Sequence, residues 1–233
     1  MSEFYSQGGE DQYLIKKFLS KPTAIAKTYL EIGAVDGVKH SNTKYLEDNL
    51  GWTGVLVEPS PVAFDSLRNK RPNNVLMNSL VSSATSPLEF LYFENENLAP
   101  VSCISSTMTE RNKTQFYQNE AEWLVKAREK NLKKTQLDPI TMDSVIAASG
   151  LKAFGICIID VEGHELEVLN SFSFSTEVSV FMIDKNPRDK EISKLLKKHG
   201  YELYGEPANN NVFVSSTLVE EIGARKADLK EPA

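Results

Sequence analysis

The chain has 233 residues, 41% hydrophobic and 25% charged, with 26 Lys and Arg against 32 Asp and Glu for a net charge of −6. That composition suits one large globular core and excludes collagen-like, low-complexity and wholly disordered chains. The acidic excess excludes nucleic-acid binding by bulk charge. Two cysteines, Cys103 and Cys157, exclude a disulfide framework, and no apolar run approaches the roughly 20 residues of a membrane span. The opening MSEFYSQGGEDQ is polar and acidic where a secretory leader is basic and then apolar, so the chain reads as a cytoplasmic, reduced protein.

Apolar β-rich runs alternate with helical patterns, the sequence form of an α/β fold. The periodicity predicts a helix over Asp11 to Leu19, then strands at Thr28 to Ile32, Gly54 to Val57 and Asn74 to Val81. Helices fall between them, at Ser41 to Asn49 with Ser41 or Asn42 as N-cap, and at Pro61 to Arg68. Leu88 to Phe93 adds a strand, and Glu110 to Lys134 reads as a charged helical insert. Thr141 caps a short helix that Gly150 ends. Gly155 to Ile159 and Val178 to Ile183 are continuously apolar, as strands buried on both faces are. A helix at Glu191 to His199 precedes an antiparallel hairpin of Tyr201 to Tyr204 and Asn211 to Ser215. One domain over residues 1–216 is expected, followed by a frayed charged tail, 217–233.

Two constellations carry chemistry. Glu31-Ile32-Gly33-Ala34-Val35-Asp36-Gly37 closes the first strand, and Glu58 closes the second, 21 residues after Gly37. An acid at that distance grips ribose hydroxyls in nucleotide-binding α/β folds. The glycines are spaced Gly-x-x-x-Gly, without the set that cradles a pyrophosphate. This fits a ligand with adenosine and no pyrophosphate, S-adenosylmethionine (SAM) foremost, and argues against a nicotinamide oxidoreductase. The second constellation is Asp160-Val161-Glu162-Gly163-His164-Glu165, where a buried strand opens a helix. Acids at a helix N-terminus are stabilising in themselves, and Glu165 and Glu167 read as solvated surface. Asp160 sits where α/β enzymes place their ligands.

Ser6-Gln7-x-Gly9-Glu10-Asp11, Glu31 to Gly37 followed by Ser41-Asn42-Thr43, Glu58-Pro59, Thr141-x-Asp143 and Asp160 to Glu165 together resemble the FkbM family of SAM-dependent methyltransferases, in the family's order over roughly residues 6 to 186. The resemblance implies a Rossmann-like sandwich, a mostly parallel sheet with a C-terminal antiparallel hairpin, and transfer of a methyl group to a hydroxyl of a sugar, a glycan or a small natural product. A non-catalytic SAM- or nucleotide-binding module is the alternative. The chain departs from the family where its fifth strand ends in Asp184 in place of Glu, and in its long charged insert.

The expected site follows. Glu31, Gly33, Asp36, Gly37 and Ser41 take the methionine end and backbone contact of SAM, Glu58 the ribose, and Asn78 the adenine side. Gln7, with Glu10 and Asp11, closes the pocket. Asp160, Glu162 and His164 lie by the acceptor. Asp160 and Asp184, at neighbouring strand ends, are expected to share a hard cation such as Mg²⁺ or Mn²⁺, with His164 or Glu162 receiving the proton. Without a metal, Asp160 or His164 is the general base. Phe116, Tyr117 and Trp123, interleaved with Arg111, Lys113, Lys126 and Arg128, suggest a lid over a sugar acceptor.

Overall fold

The computed structural model describes residues 4–20, 24–94, 96–110 and 130–223. Twelve strands are described: β1 (Thr28–Ile32), β2 (Thr53–Val57), β3 (Val75–Met77), β4 (Leu80–Val81), β5 (Leu88–Phe93), β6 (Cys103–Ile104), β7 (Leu132–Leu137), β8 (Pro139–Ile140), β9 (Ala153–Ile159), β10 (Glu177–Asp184), β11 (Tyr201–Gly205) and β12 (Asn210–Ser215). The α-helices are α1 (Glu10–Leu14), α2 (Lys44–Leu50), α3 (Pro61–Lys70), α4 (Met142–Ser149), α5 (Glu165–Asn170), α6 (Asp189–Lys198) and α7 (Ser216–Ile222). None of these helices is long and apolar enough to cross a membrane.

Seven strands form the central sheet in the order β11-β12-β10-β9-β1-β2-β3. The five from β10 to β3 are parallel, and β12 runs antiparallel to both its neighbours. Because side chains alternate across a strand, each face of the sheet needs its own cover. Leu30, Ile32, Val55 and Val57 pack with α4, α5 and α6 on one face. Tyr29, Leu56 and Ile158 pack with α1, α2, α3 and α7 on the other. The chain builds outward from β1 to β2 and β3, then returns to place β9 on the other side of β1. That reversal puts a crevice at the C-terminal ends of β1 and β9, where ligands settle in open α/β sheets. A side sheet, β6-β5-β7, and the short pair β4-β8 flank it.

Several expectations need correction. The third strand breaks after Met77, because the Asn78 amide donates to the carbonyls of Glu58 and Pro59, and Leu80–Val81 pairs with β8 instead. Leu132 to Lys134 are strand, not helix: Lys133 and Lys134 reach Glu94 and Glu89 on the paired β5 side. The insert's residues 111–129, including the expected lid aromatics, lie outside the described residues. α2 begins at Lys44 with Thr43 at the N-cap position, and the Ser41 hydroxyl, besides donating to Glu31, accepts the Lys44 N–H at 3.2 Å. The helix expected over Asp11 to Leu19 begins at Glu10 and loosens into a π-helical turn from Ile15. The tail expected to fray from residue 217 instead starts as α7, capped by the Ser215 hydroxyl on the Leu218 N–H, with Leu218 buried.

Candidate active site

Two cavities open at the β1–β9 crevice and share Gly33, Val35, Pro100, Asp160 and Glu162. They enclose about 520 and 770 Å³ of space, part of it open to solvent. The first is mainly apolar, with Val81, Phe90, Ala99, Cys103 and Ile104 among its walls and Glu58, Ser79 and His164 as polar points. The second is polar, lined by Gln7, Glu10, Glu31, Lys39, His40, Ser41, Asn42, Asp184, Asn209 and Asn210.

The two share a strained rim. Val35 has φ 49° and Glu162 has φ 54°, left-handed conformations uncommon outside glycine and, for the β-branched Val35, adopted only when the surroundings impose them. Val35 is held by its N–H, which donates to Glu58 at 2.9 Å. Gly33, at φ 90°, lies so close to the Asp160 carbonyl that a Cβ there would overlap it. Its role is backbone approach between β1 and β9.

Glu58 is buried. Its carboxylate accepts the N–H of Val35 and of Ser60 at 2.9 and 2.8 Å. Burial pushes its carboxyl up to about 7 against the pull of those two donors. Glu31 is also buried, and burial raises its carboxyl above the usual range despite the opposing Arg71 charge. It accepts from Ser41 Oγ, from Thr43 Oγ1 at 2.5 Å and from the Asn42 N–H. It therefore organises the 41–43 loop as well as facing the polar cavity. Beside it, the side-chain carbonyl of Asn42 is buried with no hydrogen-bond partner among the described residues.

Of the other expected cofactor residues, Gln7 and Ser41 line the polar cavity, as does Glu10, which accepts from the Gly8 N–H and from Asn210 Nδ2. Asp11 points inward, tying Tyr5, Ser6 and Gln12 into the N-terminal turn. Asp36 lines neither cavity. Its carboxylate takes the N–H groups of Val38 and Lys39 and the Lys70 ammonium; although burial works against them, those donors hold it below the usual carboxylate range. Gly37 is a packing glycine whose missing Cβ makes room for Leu67 and Arg71. Asn78 lines neither cavity, its amide being spent on the Glu58 and Pro59 carbonyls.

At the acceptor end, Asp160 is exposed and Asp184 buried, and the two come together with Glu165: ligand atoms of all three lie within 4.8 Å of one another. Glu165 is no surface acid. It is fully buried and folds back to accept the N–H groups of Val161 and Gly163, with Asn186 Nδ2 on its other oxygen at 2.7 Å. Burial, with Asp160 and Asp184 adding to it, pushes its carboxyl up to about 8. Glu167, also read as solvated, is half-buried and paired with Arg188. His164 is buried with both ring nitrogens engaged, Nδ1 with Thr107 Oγ1 at 3.1 Å and Nε2 with Ser82 Oγ at 2.9 Å. Burial lowers its pKa and keeps the ring neutral, although Glu167 pulls the other way.

Arg71 also escaped the sequence reading. It is fully buried behind the 37–43 loop and ion-paired to Glu47. Arg71 carries no local signal beyond residue type, because its partners come from distant segments, whereas Glu165 stands in the Asp160 to Glu165 run and only its burial went unread.

A strand-end glycine turn, a buried acid after the second strand and a carboxylate at the switch point form one groove. The model of the Methyltransferase FkbM domain matches residues 31–203, which span Glu31, Glu58, Asp160 and Asp184. No curated protein matches the chain. With most of its length under that match, the chain belongs to the FkbM family of methyltransferases.

Proposed function

We propose that this protein is a SAM-dependent O-methyltransferase acting on a hydroxyl of a sugar or glycan. The observation that carries the reading is the junction of an apolar cavity containing Glu58 with an acid-rich cavity at Gly33. SAM has that same division, an adenosine at one end and a cationic methionine end at the other.

The residues fit the cofactor. Glu58 keeps lone pairs for the ribose hydroxyls after accepting Val35 and Ser60, and the apolar walls suit adenine. The orphaned Asn42 carbonyl, with Glu31 and Glu10 around the same cavity, suits an ammonium group. When bound, SAM supplies an activated methyl group on a sulfonium. The protein's share of catalysis is then alignment and removal of the acceptor's proton.

We assign proton acceptance to Glu162, which lines both cavities from a left-handed turn, and orientation of the acceptor hydroxyl to Asp160. His164, with both nitrogens occupied, acts as a clasp between Ser82 and Thr107 along the apolar cavity. The polar cavity supports a sugar acceptor, since Asp160, Glu162, Asp184, Asn209 and Asn210 line it with the amides and carboxylates that hydrogen-bond a hydroxyl-rich ring.

The test is turnover of SAM against monosaccharides, nucleotide sugars and short glycans, with mass detection of the added methyl. A methylated sugar hydroxyl is expected. SAM binding without methyl gain on any sugar, but with gain on a hydroxylated natural product, would move the acceptor class. Binding with no turnover at all would favour a non-catalytic module.

A further inference from the structure

The carboxylates of Asp160, Glu165 and Asp184 belong to two adjacent parallel strands and the helix that follows the first of them, and they converge to within 4.8 Å. Acids crowd together on many surfaces without consequence, so convergence alone decides nothing. A second, separate observation lies on β12. Asn210 pairs directly with Asp184 across the antiparallel β10–β12 ladder, and residues so opposed project from the same face of a sheet. Both line the polar cavity. Asn210 is 6% exposed, and among the described residues its side-chain carbonyl has no hydrogen-bond partner, while its amide nitrogen is directed to Glu10. A buried carbonyl left unsatisfied costs about 1–3 kcal/mol, and natural proteins rarely carry one without a ligand or water for it.

We propose that Asp160, Glu165, Asp184 and the Asn210 side-chain carbonyl form a site for one hard divalent cation, Mg²⁺ or Mn²⁺. All four donors are oxygens, and there is no sulfur or imidazole in the set, which is the chemistry of a hard ion and not of Zn²⁺. In an octahedral Mg²⁺ site opposite oxygens lie about 4.2 Å apart and neighbouring ones about 3 Å, so the three carboxylates, now within 4.8 Å of one another, draw inward around the ion. Glu165 is held in place at the cluster: Val161, Gly163 and Asn186 fix its carboxylate. The exposed Asp160 gives the ion a path from solvent. Four protein oxygens leave two positions of an octahedron for water or for an acceptor hydroxyl.

The site's existence is independent of the methyl-transfer reading; its role rests on that reading. An acceptor oxygen bound to the ion loses its proton more readily, and Glu162, on the same turn as Asp160, gains that proton as the O–H bond breaks. Asp160 then orients the acceptor through the ion.

The experiment titrates Mn²⁺ into the chelator-treated full chain, following the free-ion electron paramagnetic resonance signal and the heat of binding. SAM affinity is measured in parallel on the metal-free protein. One ion per chain is expected, with binding weakened at least ~10-fold in Asp184→Asn and in Asn210→Ala, both checked for a parent-like melting transition. Glu165→Gln adds a third reading of the same site where it folds. No saturable Mn²⁺ binding by a chain that binds SAM overturns the ion and leaves the methyltransferase reading standing. Equal Mn²⁺ affinity in the parent, Asp184→Asn and Asn210→Ala also overturns it. Mn²⁺ binding lost in the variants of a chain that never binds SAM supports the ion and removes its proposed role.

Discussion

Glu58, at the end of β2, holds the N–H of Val35 in the glycine turn after β1 at 2.9 Å. The bond fastens a β-branched residue in a left-handed conformation and at the same time turns the acid toward the apolar cavity. One carboxylate therefore shapes the turn and lines the cavity. Glu58→Gln retains an acceptor for one N–H but loses the charge that strengthens bonds to ribose hydroxyls. We expect it to weaken SAM by about 10-fold or more, read by calorimetry, with the secondary structure intact.

The same buried acid gives stability a pH dependence with a definite sign. Glu58 has a carboxyl near 7 in the folded chain against an ordinary 4.5. Between those values the folded state holds more protons than the unfolded state, so the apo protein loses stability as pH rises through that window and levels off above it. The loss attributable to Glu58 is on the order of 3 kcal/mol. Over the same interval SAM affinity should rise, because the charged acid is the stronger acceptor. Denaturant unfolding at pH 5 and pH 8 checks the first trend, and Glu58→Gln should reduce it, leaving the part of the same sign that buried Glu165 and Glu31 contribute.

Two glycines with similar dihedrals separate steric need from backbone preference. Gly33, at φ 90°, has the Asp160 carbonyl where a Cβ would stand, whereas Gly51, at φ 67°, faces open space. Gly51→Ala should cost only the left-handed penalty, about 1 kcal/mol. Gly33→Ala must push β1 from β9 and should cost over ~3 kcal/mol or prevent folding. Melting temperatures of the two variants make the comparison.

Much of this was readable in advance, and the exceptions share a cause. The apolar runs of β1, β2, β9 and β10 announce a parallel sheet, and the acids at their ends announce a crevice. Glu31, Gly33, Ser41, Glu58, Asp160, Glu162 and Asp184 all line it. Asp36 looked equally functional within the glycine turn, yet Lys70, 34 residues away, claims its carboxylate. Glu165 looked like a solvated first-turn acid, because its burial depends on Asn186 and on the turn folding back over it. Local pattern specifies the strand and the turn; which acid faces the ligand depends on long-range pairing.

Because both ring nitrogens of His164 have hydrogen-bond partners, we expect it to position its neighbours and not to carry the proton. Its ring joins Ser82, just past β4, to Thr107 in the segment beside the apolar cavity, and burial keeps it neutral. His164→Leu removes both bonds, each worth about 1 kcal/mol, so KM for SAM should rise roughly 5- to 10-fold. The shape of the kcat–pH profile between pH 6 and 8 should stay that of the parent. Loss of a limb from that profile would instead make His164 the base.

Arg71 supports the site from behind. Its guanidinium pairs with Glu47 and donates to the Gly37 carbonyl at 2.6 Å, the Tyr29 hydroxyl at 2.7 Å, and the Ser41 and Thr43 hydroxyls at 3.3 and 3.2 Å. Ser41 and Thr43 in turn hold Glu31, so one cation balances two acids and fixes the loop that forms a wall of the polar cavity. Arg71→Met fills similar volume but leaves Glu31 and Glu47 without a counter-charge, and breaking such a buried pair costs about 3–5 kcal/mol. Arg71→Lys should rescue little, because an ammonium cannot span five partners arranged for a planar fork. Urea unfolding should place both variants well below the parent. In whichever folds, SAM affinity should fall as the 37–43 loop loosens, although Arg71 itself touches neither cavity. Parent-like stability in Arg71→Met would mean that Glu31 is held by its hydroxyl and N–H donors alone.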